Sequence, residues 1–431
     1  MKITLKQALP VIFLVLYAIT GLIPNLEAYD RVAPQWLYIS ILNFVCFVYI
    51  LNEFPRFQSI VGKIFKFKPF IFLLGFIIWG LLSYFYAINQ VEVLVKFYRW
   101  VNILFALVII STFISELKNH MYFVSISIIL SVILMIELYY SYSAYFQIIK
   151  YVEYDFSLAN YLKGATANKN ITASSILIKI PFVFFIITHY KNLFIKILSA
   201  ILILISSYLI LLIGSRAGII ALILISFLTL TSLLIYYFKV KNKSFLFSSL
   251  IFIILPLFAS ILWFQLQTGS TNSASIVNRA STINTDDTST NQRLNYYKYA
   301  FDHIIENPIF GTGLGNWKIK SIDYDKENIN GYIVPYHVHN DFLEFGAELG
   351  IIGLGLFLMI FLYSTKELIK KLIYKYRNTL IVQQSFIIFL AGLIYFIDAN
   401  LNFPHARLVN QIPFVIILSL LFNLNNSDEK S

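Results

Sequence analysis

The chain has 431 residues, of which 58% are hydrophobic and only 13% charged, with a net charge of +11. Ordinary soluble domains carry about 25% charged residues, so a soluble globule, a disordered chain, a disulfide scaffold and a collagen-like fibre are all excluded. The single cysteine, Cys46, lies in an apolar run and excludes an intramolecular disulfide and a cysteine metal cluster, and the excess of Lys and Arg fits the cytoplasmic loops of a membrane protein without invoking nucleic acid.

A membrane span needs about 20 mostly apolar residues. Apolar runs in chain order predict twelve spans, at 8–24, 36–52, 69–88, 100–116, 121–139, 172–188, 193–213, 217–238, 245–266, 347–364, 380–398 and 411–424. The first run resembles a signal peptide, but no small-residue cleavage site follows closely, so it reads as a retained helix. The apolar stretch 193–238 is broken only by Gly-Ser-Arg-Ala-Gly (214–218), which predicts two helices joined by a tight turn. Nothing repeats at a fixed period. The expected fold class is an all-α polytopic membrane protein of about twelve transmembrane helices. Residues 1–266 hold helices one to nine. A large outside loop at 267–346 carries candidate catalytic residues, and 347–431 holds helices ten to twelve and a cytoplasmic tail.

With a cytoplasmic N-terminus, the short inside loops hold seventeen Lys and Arg residues, among them Arg56, Lys63, Lys66, Lys239, Lys370 and Lys371. The short outside loops hold five: Arg31, Lys96, Arg99, Arg216 and Arg407. That asymmetry puts both termini in the cytoplasm. Two outside segments are long, 140–171 and 267–346. Within the second, 292–306 predicts a helix with Leu294, Tyr297, Ala300, Phe301 and Ile304 on one face, and Pro308 with three glycines up to residue 315 predicts turns.

A charge near membrane depth is a functional candidate. Arg216, in the 214–218 turn, offers a bidentate guanidinium suited to a phosphate, against the plainer reading of an interfacial arginine flanked by packing glycines. Arg293 opens the loop helix and taken alone reads as a solvated charge. His337 and His339 stand in Tyr-His-Val-His-Asn-Asp-Phe-Leu (336–343), just before span ten. A His-x-His pair can bind metal, but no Cys and no Glu-x-x-His partner supports that, and a histidine at a span mouth can serve as a general base. Asp323 and Asp325 form an Asp-x-Asp that reads as a solvated loop beside Lys320 and Lys326. Lys179 and Asp398 fall inside or at the end of spans and read as structural pairs, Asp398 with Arg407. Asn168 and Asn170 read as caps of span six.

Four motifs stand in a telling order: Ser-Arg-Ala-Gly (215–218), Gln-Arg-Leu (292–294), Pro-Ile-Phe-Gly-Thr-Gly-Leu-Gly-Asn-Trp (308–317) and His-Asn-Asp-Phe-Leu-Glu-Phe-Gly-Ala-Glu-Leu-Gly-Ile-Ile-Gly (339–353). Together they resemble the O-antigen ligase and O-antigen polymerase superfamily of bacterial membrane glycosyltransferases, most sharply across 210–365. The resemblance implies a metal-independent, inverting transfer with no cofactor, on the periplasmic side of the inner membrane. A glycan would pass from undecaprenyl diphosphate to an acceptor hydroxyl, of lipid A-core in lipopolysaccharide biosynthesis or of another lipid-linked glycan in a polymerase. Arg216 and Arg293 would hold the diphosphate, His339 would act on the acceptor hydroxyl, and His337 and Asn340 would contact substrate. The implied partners are those two lipid-linked substrates and membrane lipids, with no nucleic acid. A protein-glycosylating relative is a further possibility in the same superfamily. A polysaccharide-related transporter is the competing class, opposed by the single dominant outside loop and the absence of a twofold hydropathy repeat.

Overall fold

Long runs of Leu, Ile, Val and Phe leave the backbone few ways to satisfy its polar groups in hydrocarbon, and the α-helix is the one that needs no partner segment. A computed structural model describes residues 5–117, 121–166, 168–268, 288–327, 336–374 and 379–428. Among them the regular elements are all helical. They are α1 (Leu5–Ala18), α2 (Ala33–Asn52), α3 (Phe54–Ile64), α4 (Lys68–Leu82), α5 (Gln90–Glu116), α6 (Met121–Ile148), α7 (Lys169–His189), α8 (Leu193–Ile213), α9 (Arg216–Val240) and α10 (Lys243–Ser249). A π turn at Leu250–Ile254 leads into α11 (Leu255–Thr268). After it come α12 (Thr288–Glu306), α13 (Trp317–Asp325), α14 (Asp341–Tyr374), α15 (Thr379–Leu401) and α16 (Leu408–Asp428). Eleven stretches among the described residues are long and apolar enough to cross a membrane, and Ala8–Leu22, where the first span was expected, is a shorter apolar helix. The protein is an all-α polytopic membrane protein, as its sequence leads one to expect.

Three helices begin or end well outside the predicted apolar runs. α5 starts at Gln90, with Val91 N donating to the Asn89 side chain at 3.0 Å, so Lys96 and Arg99 are helical residues and not loop residues. α6 continues to Ile148. α14 starts at Asp341, six residues ahead of the predicted span. In α5 and α14 the charged side chains of the extra turns have partners inside the protein, so hydropathy alone stops short of the true end.

α7 and α16 form the centre, each with 94% of its most apolar window buried inside the protein. α7 packs on α6, α8 and α15, and α16 packs on α5, α7 and α15. Lys179 of α7 reaches Glu137 of α6 at 2.9 and 3.0 Å and the Ser175 carbonyl and hydroxyl at 2.8 and 2.7 Å. All three ammonium hydrogens thus have acceptors. A buried pair of this kind adds little net stability but is costly to break, about 3–5 kcal/mol for loss of one partner. The structural pairing expected for Lys179 is what the structure holds. Asn168 caps α7 as expected, its side chain accepting from Asn170 N at 2.9 Å and Ile171 N at 3.3 Å.

α14 is broken. Gly350 has φ +65° and ψ −169°, which splits the helix into Asp341–Leu349 and a long apolar second half. The break leaves carbonyls without helical partners, and donors from the glycine-rich turn and from Trp79 of α4 satisfy them. Thr312 N donates to Ala347 O at 3.0 Å, Gly313 N to Glu348 O at 2.8 Å, and Trp79 Nε1 to Leu349 O at 2.9 Å. In return Ile351 N donates to Pro308 O at 2.8 Å. A side chain at Gly350 would collide with the Ile309 and Pro308 carbonyls. The two motifs at 308–317 and 339–353 are therefore one interlocked unit.

α12 packs over the start of α14 through Ala300, Trp317, Val338 and Ala347, with Tyr297, Ile304 and Leu343 against them. Of the predicted apolar face, Tyr297, Ala300 and Ile304 turn inward, while Leu294 and Phe301 remain exposed. The buried stripe is rotated toward Arg293, Tyr296 and His303. The reason is that three segments lie around it: Arg293 reaches the Leu401 carbonyl of α15, Tyr296 stacks on His339, and His303 packs on Tyr324 and Trp317 of α13.

Candidate functional site

Asp341, Glu344 and Glu348 recur at i, i+3 and i+7, which places them on one face of the first half of α14. All three are buried. Each carboxylate holds a different segment. Asp341 accepts from His405 Nδ1 at 2.7 Å and from His405 N at 3.2 Å. Glu344 accepts from Val338 N at 3.0 Å and lies 2.9 Å from His337 Nδ1. Glu348 accepts from Trp317 N at 3.2 Å. The loop before α14, the turn before α16 and the start of α13 are thus tied to one helix face.

The imidazoles follow from these ties. His405 Nδ1 carries its proton toward Asp341, so Nε2 is the acceptor, 3.4 Å from the Lys96 ammonium. Burial holds His405 well below the usual histidine range, and Lys96 adds to that. His337 Nδ1 donates to Glu344, which leaves its Nε2 as the acceptor nitrogen. The His337 ring lies flat on Phe403, centroids 4.4 Å apart and planes 11° apart.

His339 has φ +62°, a left-handed conformation that costs a non-glycine residue about 1–3 kcal/mol. The turn aims its ring at the edge of Phe403, 5.1 Å between centroids, with Tyr296 of α12 stacked on the other side at 6.5 Å. Tyr297 secures the backbone, its hydroxyl reaching the His339 carbonyl at 3.0 Å and the Asn400 carbonyl at 3.2 Å. Burial, then the charge of Arg293, then that of His337, lower the His339 pKa to about 4. Its Nδ1 is buried and has no hydrogen-bond partner among the described residues. Arg293 donates from Nη1 to the Leu401 carbonyl at 3.1 Å. Arg293, His339 and His337 are thus brought together at the end of α15, around Phe403.

Arg216 opens α9. Gly214, at φ +63°, ends α8 in a left-handed cap, and the Ser215 hydroxyl accepts from Gly218 N at 3.3 Å. A Cβ at Gly214 would overlap the Phe156 ring, so the tight turn predicted at 214–218 has a packing reason. Ser215, Ala217 and Gly218 share a small cavity with Asn170, Ser174 and Asp398. The turn that carries Arg216 thus shares a cavity with Asp398 near the end of α15, and Arg293 reaches the same helix at the Leu401 carbonyl.

Other expected residues fall elsewhere. Asn340 caps α14, accepting from Phe342 N at 3.0 Å and Leu343 N at 3.1 Å, so its side chain is engaged in the fold. Asp398 does not pair with Arg407. Asn402 and Asn410 donate to its two oxygens at 2.6 and 2.9 Å. The turn at Pro404–Ala406 carries Arg407 away, to a stacked position 5.7 Å from the Phe403 ring. Asp323 and Asp325 lie on α13, not in a loop, and i, i+2 positions on a helix do not face each other. Asp323 pairs with Lys320 at 2.9 Å and Asp325 is buried.

His337, Glu344 and His405 bring ligand atoms within 4.8 Å of one another, a grouping with the donor set for a metal ion. The available atoms are already engaged, and the Lys96 ammonium stands 3.4 Å from His405 Nε2. A fixed cation at that position opposes a second one.

Glu344, Asp341, His405, Tyr297 and Lys96 belong to this site and were missed in the sequence. The one available signal was three acids at helical spacing inside an otherwise apolar stretch. Residues 200–358 match the family described as O-antigen ligase. A protein of Rickettsia conorii named as a candidate polysaccharide ligase is 40% identical over 80 residues, 18% of this chain and 20% of that protein. The match thus spans about one fifth of that relative's length. The resemblance read from the motifs to the O-antigen ligase superfamily is borne out over this stretch.

Proposed function

We propose that the protein transfers a glycan from undecaprenyl diphosphate to an acceptor hydroxyl, lipid A-core in an O-antigen ligase, on the periplasmic face of the bacterial inner membrane. The observation that carries this reading is the meeting of Arg293 with His339, a fixed cation beside a neutral imidazole, within the stretch similar to that family. In this reading Arg216 and Arg293 bind the diphosphate. As the anomeric C–O bond breaks, the diphosphate leaves with the electron pair, and the guanidinium groups stabilise the growing charge more than they stabilise the bound ground state. The acceptor oxygen attacks the anomeric carbon from the opposite face, so the configuration inverts.

The acceptor's proton passes to His339. In the free protein Arg293 helps to hold this imidazole at about 4. A diphosphate on Arg293 compensates that charge and raises the basicity of His339 when the substrate is in place. A second reading gives the proton to His337, supported by its 2.9 Å contact with Glu344, which fixes tautomer and orientation. His337 otherwise lines the acceptor side, and Asn340 acts by presenting the loop. The Lys96 ammonium supports a metal-independent reaction.

The test is transfer by purified protein with a lipid diphosphate donor. Arg293→Ala and His339→Ala should each lose nearly all transfer at normal membrane levels, and full activity in both would reject the assignment. Deleting the gene separates the activities: lipid-linked polymer accumulates if the protein is a ligase, and acceptor bearing a single repeat unit indicates a polymerase.

A further inference from the structure

A second cavity, of about 530 Å³, opens beside this site and is not used by the reaction above. Its wall comes from the residues after α1 (Leu22–Asn25), the start of α2, Tyr140 of α6, the Lys163–Thr166 turn and the start of α16. Its lining includes three cations, Arg31, Lys163 and Arg407, and no carboxylate. Arg31 and Lys163 are exposed, at the mouth. Arg407, half-buried, lines the cavity further in, with its guanidinium over the Phe403 ring. Asp30, whose charge acts on Arg407, is already paired with Arg99 at 2.8 Å. Three cations around a cavity of ligand size whose lining holds no carboxylate are arranged for an anion.

Phe403 relates this cavity to the reaction site. One guanidinium, Arg407, lies over its ring, and the two imidazoles His337 and His339 stack or abut it at 4.4 and 5.1 Å. A group held by Arg407 is one aromatic ring away from the histidines proposed to take the acceptor proton. We propose that this cavity binds the phosphate of a phosphorylated glycolipid acceptor, through Arg407 further in and Arg31 and Lys163 at the mouth. This inference rests on the glycosyl-transfer reading. In it the donor diphosphate sits on Arg216 and Arg293 while a separate phosphate on the acceptor is read here, so the two lipids are held by different cations.

The experiment uses the full-length protein in detergent and a phosphorylated disaccharide glycolipid, with its dephosphorylated form as the control. Binding is measured first, without donor, by native mass spectrometry or thermophoresis. The double variant Arg31→Gln/Lys163→Gln changes only exposed residues and serves alongside Arg407→Gln, which is more exposed to folding defects. Each variant should weaken binding of the phosphorylated lipid by about tenfold or more, the loss expected for a charge-assisted hydrogen bond. Binding of the dephosphorylated lipid and of the lipid diphosphate donor should not change. In turnover, KM for the phosphorylated acceptor should rise with kcat unchanged. Equal binding of both lipids by wild type, or an unchanged affinity in the double variant, overturns the proposal. Displacement of the lipid by inorganic phosphate at comparable concentration would also overturn it, in favour of a free-anion site. Selective binding without any transfer would leave this site standing and reject the glycosyl-transfer reading instead.

Discussion

His405 and Asp341, 64 residues apart in sequence, meet with 2.7 Å between Nδ1 and Oδ1, and both are buried. The same carboxylate takes the His405 backbone N–H, so one side chain fixes both the ring and the turn that carries it. Asp341→Ala and His405→Ala should each lower the thermal midpoint in detergent. The double variant should lose less than the sum, with a coupling of about 0.5–3 kcal/mol. Strict additivity would mean that the two groups do not depend on each other.

Glu344 ties His337 and Val338 to α14. Glu344→Gln keeps the shape but lacks the charge that orients the imidazole. It should lower kcat more than it raises donor KM, and His337→Ala should not worsen it greatly. If His337→Ala alone abolishes transfer while His339→Ala retains it, His337 is the base.

The arginines are predicted to act through geometry as well as charge. Arg216→Ala or Arg293→Ala should cost about 2–4 kcal/mol of transition-state stabilisation, by analogy with loss of one oxyanion donor. Lysine at either position should restore only part, because it lacks the planar fork. Steady-state kinetics on variants present at wild-type levels decides this.

Protonation supplies a signature for His339. A general base must be unprotonated, so kcat/KM should fall only as the pH drops toward about 4, the value in the free protein. With the anionic donor bound, Arg293 is compensated and the pKa rises, so kcat should begin to fall at higher pH than kcat/KM. Coincident acid limbs would separate His339 from the diphosphate.

The break in α14 gives a stability test with its own control. Gly350→Ala must hold a side chain at φ +65° against two carbonyls, and should lose more than the ~1–3 kcal/mol of backbone strain alone. Gly355→Ala, in the same helix, meets nothing within 4 Å and should be neutral or slightly stabilising. Similar midpoints for the two variants would mean the break is not maintained.

Orientation is testable at Leu294, which is exposed on α12. With Cys46 replaced, Leu294→Cys should react with an impermeant thiol reagent in cells whose outer membrane is permeabilised. Labelling only after inner-membrane lysis would reverse the topology.

The helices were largely legible because apolar runs of span length have few alternatives in hydrocarbon. Hydropathy failed where charges cluster at helix ends and are neutralised there, while the buried pair Lys179–Glu137 left its spans readable. It stopped before Asp341, Glu344 and Glu348, and it treated Lys96 and Arg99 as loop residues when they lie on α5. Arg216, Arg293, His337 and His339 stood out as polar residues in suggestive motifs. His405 did not, since its partners are 64 and 61 residues upstream and nothing local marks it. The face of α12 was misjudged for a related reason: periodicity reports apolar residues, and this helix buries His303 against α13 and half-buries Arg293 at the end of α15.

The carboxylate ladder of α14 also bears on how much of the chain is needed to make the protein. The stretch similar to the O-antigen ligase family ends at residue 358, yet Asp341 is satisfied by His405, and Glu348 lies in reach of a lysine on α5. Cut out by itself, that segment would carry three acids in an apolar helix with two of their attachment points gone. The unit recognisable in relatives is thus not a unit of folding. Insertions between these helices should be tolerated far better than exchanging the segment between relatives, because a graft must bring α5 and the turn before α16 with it.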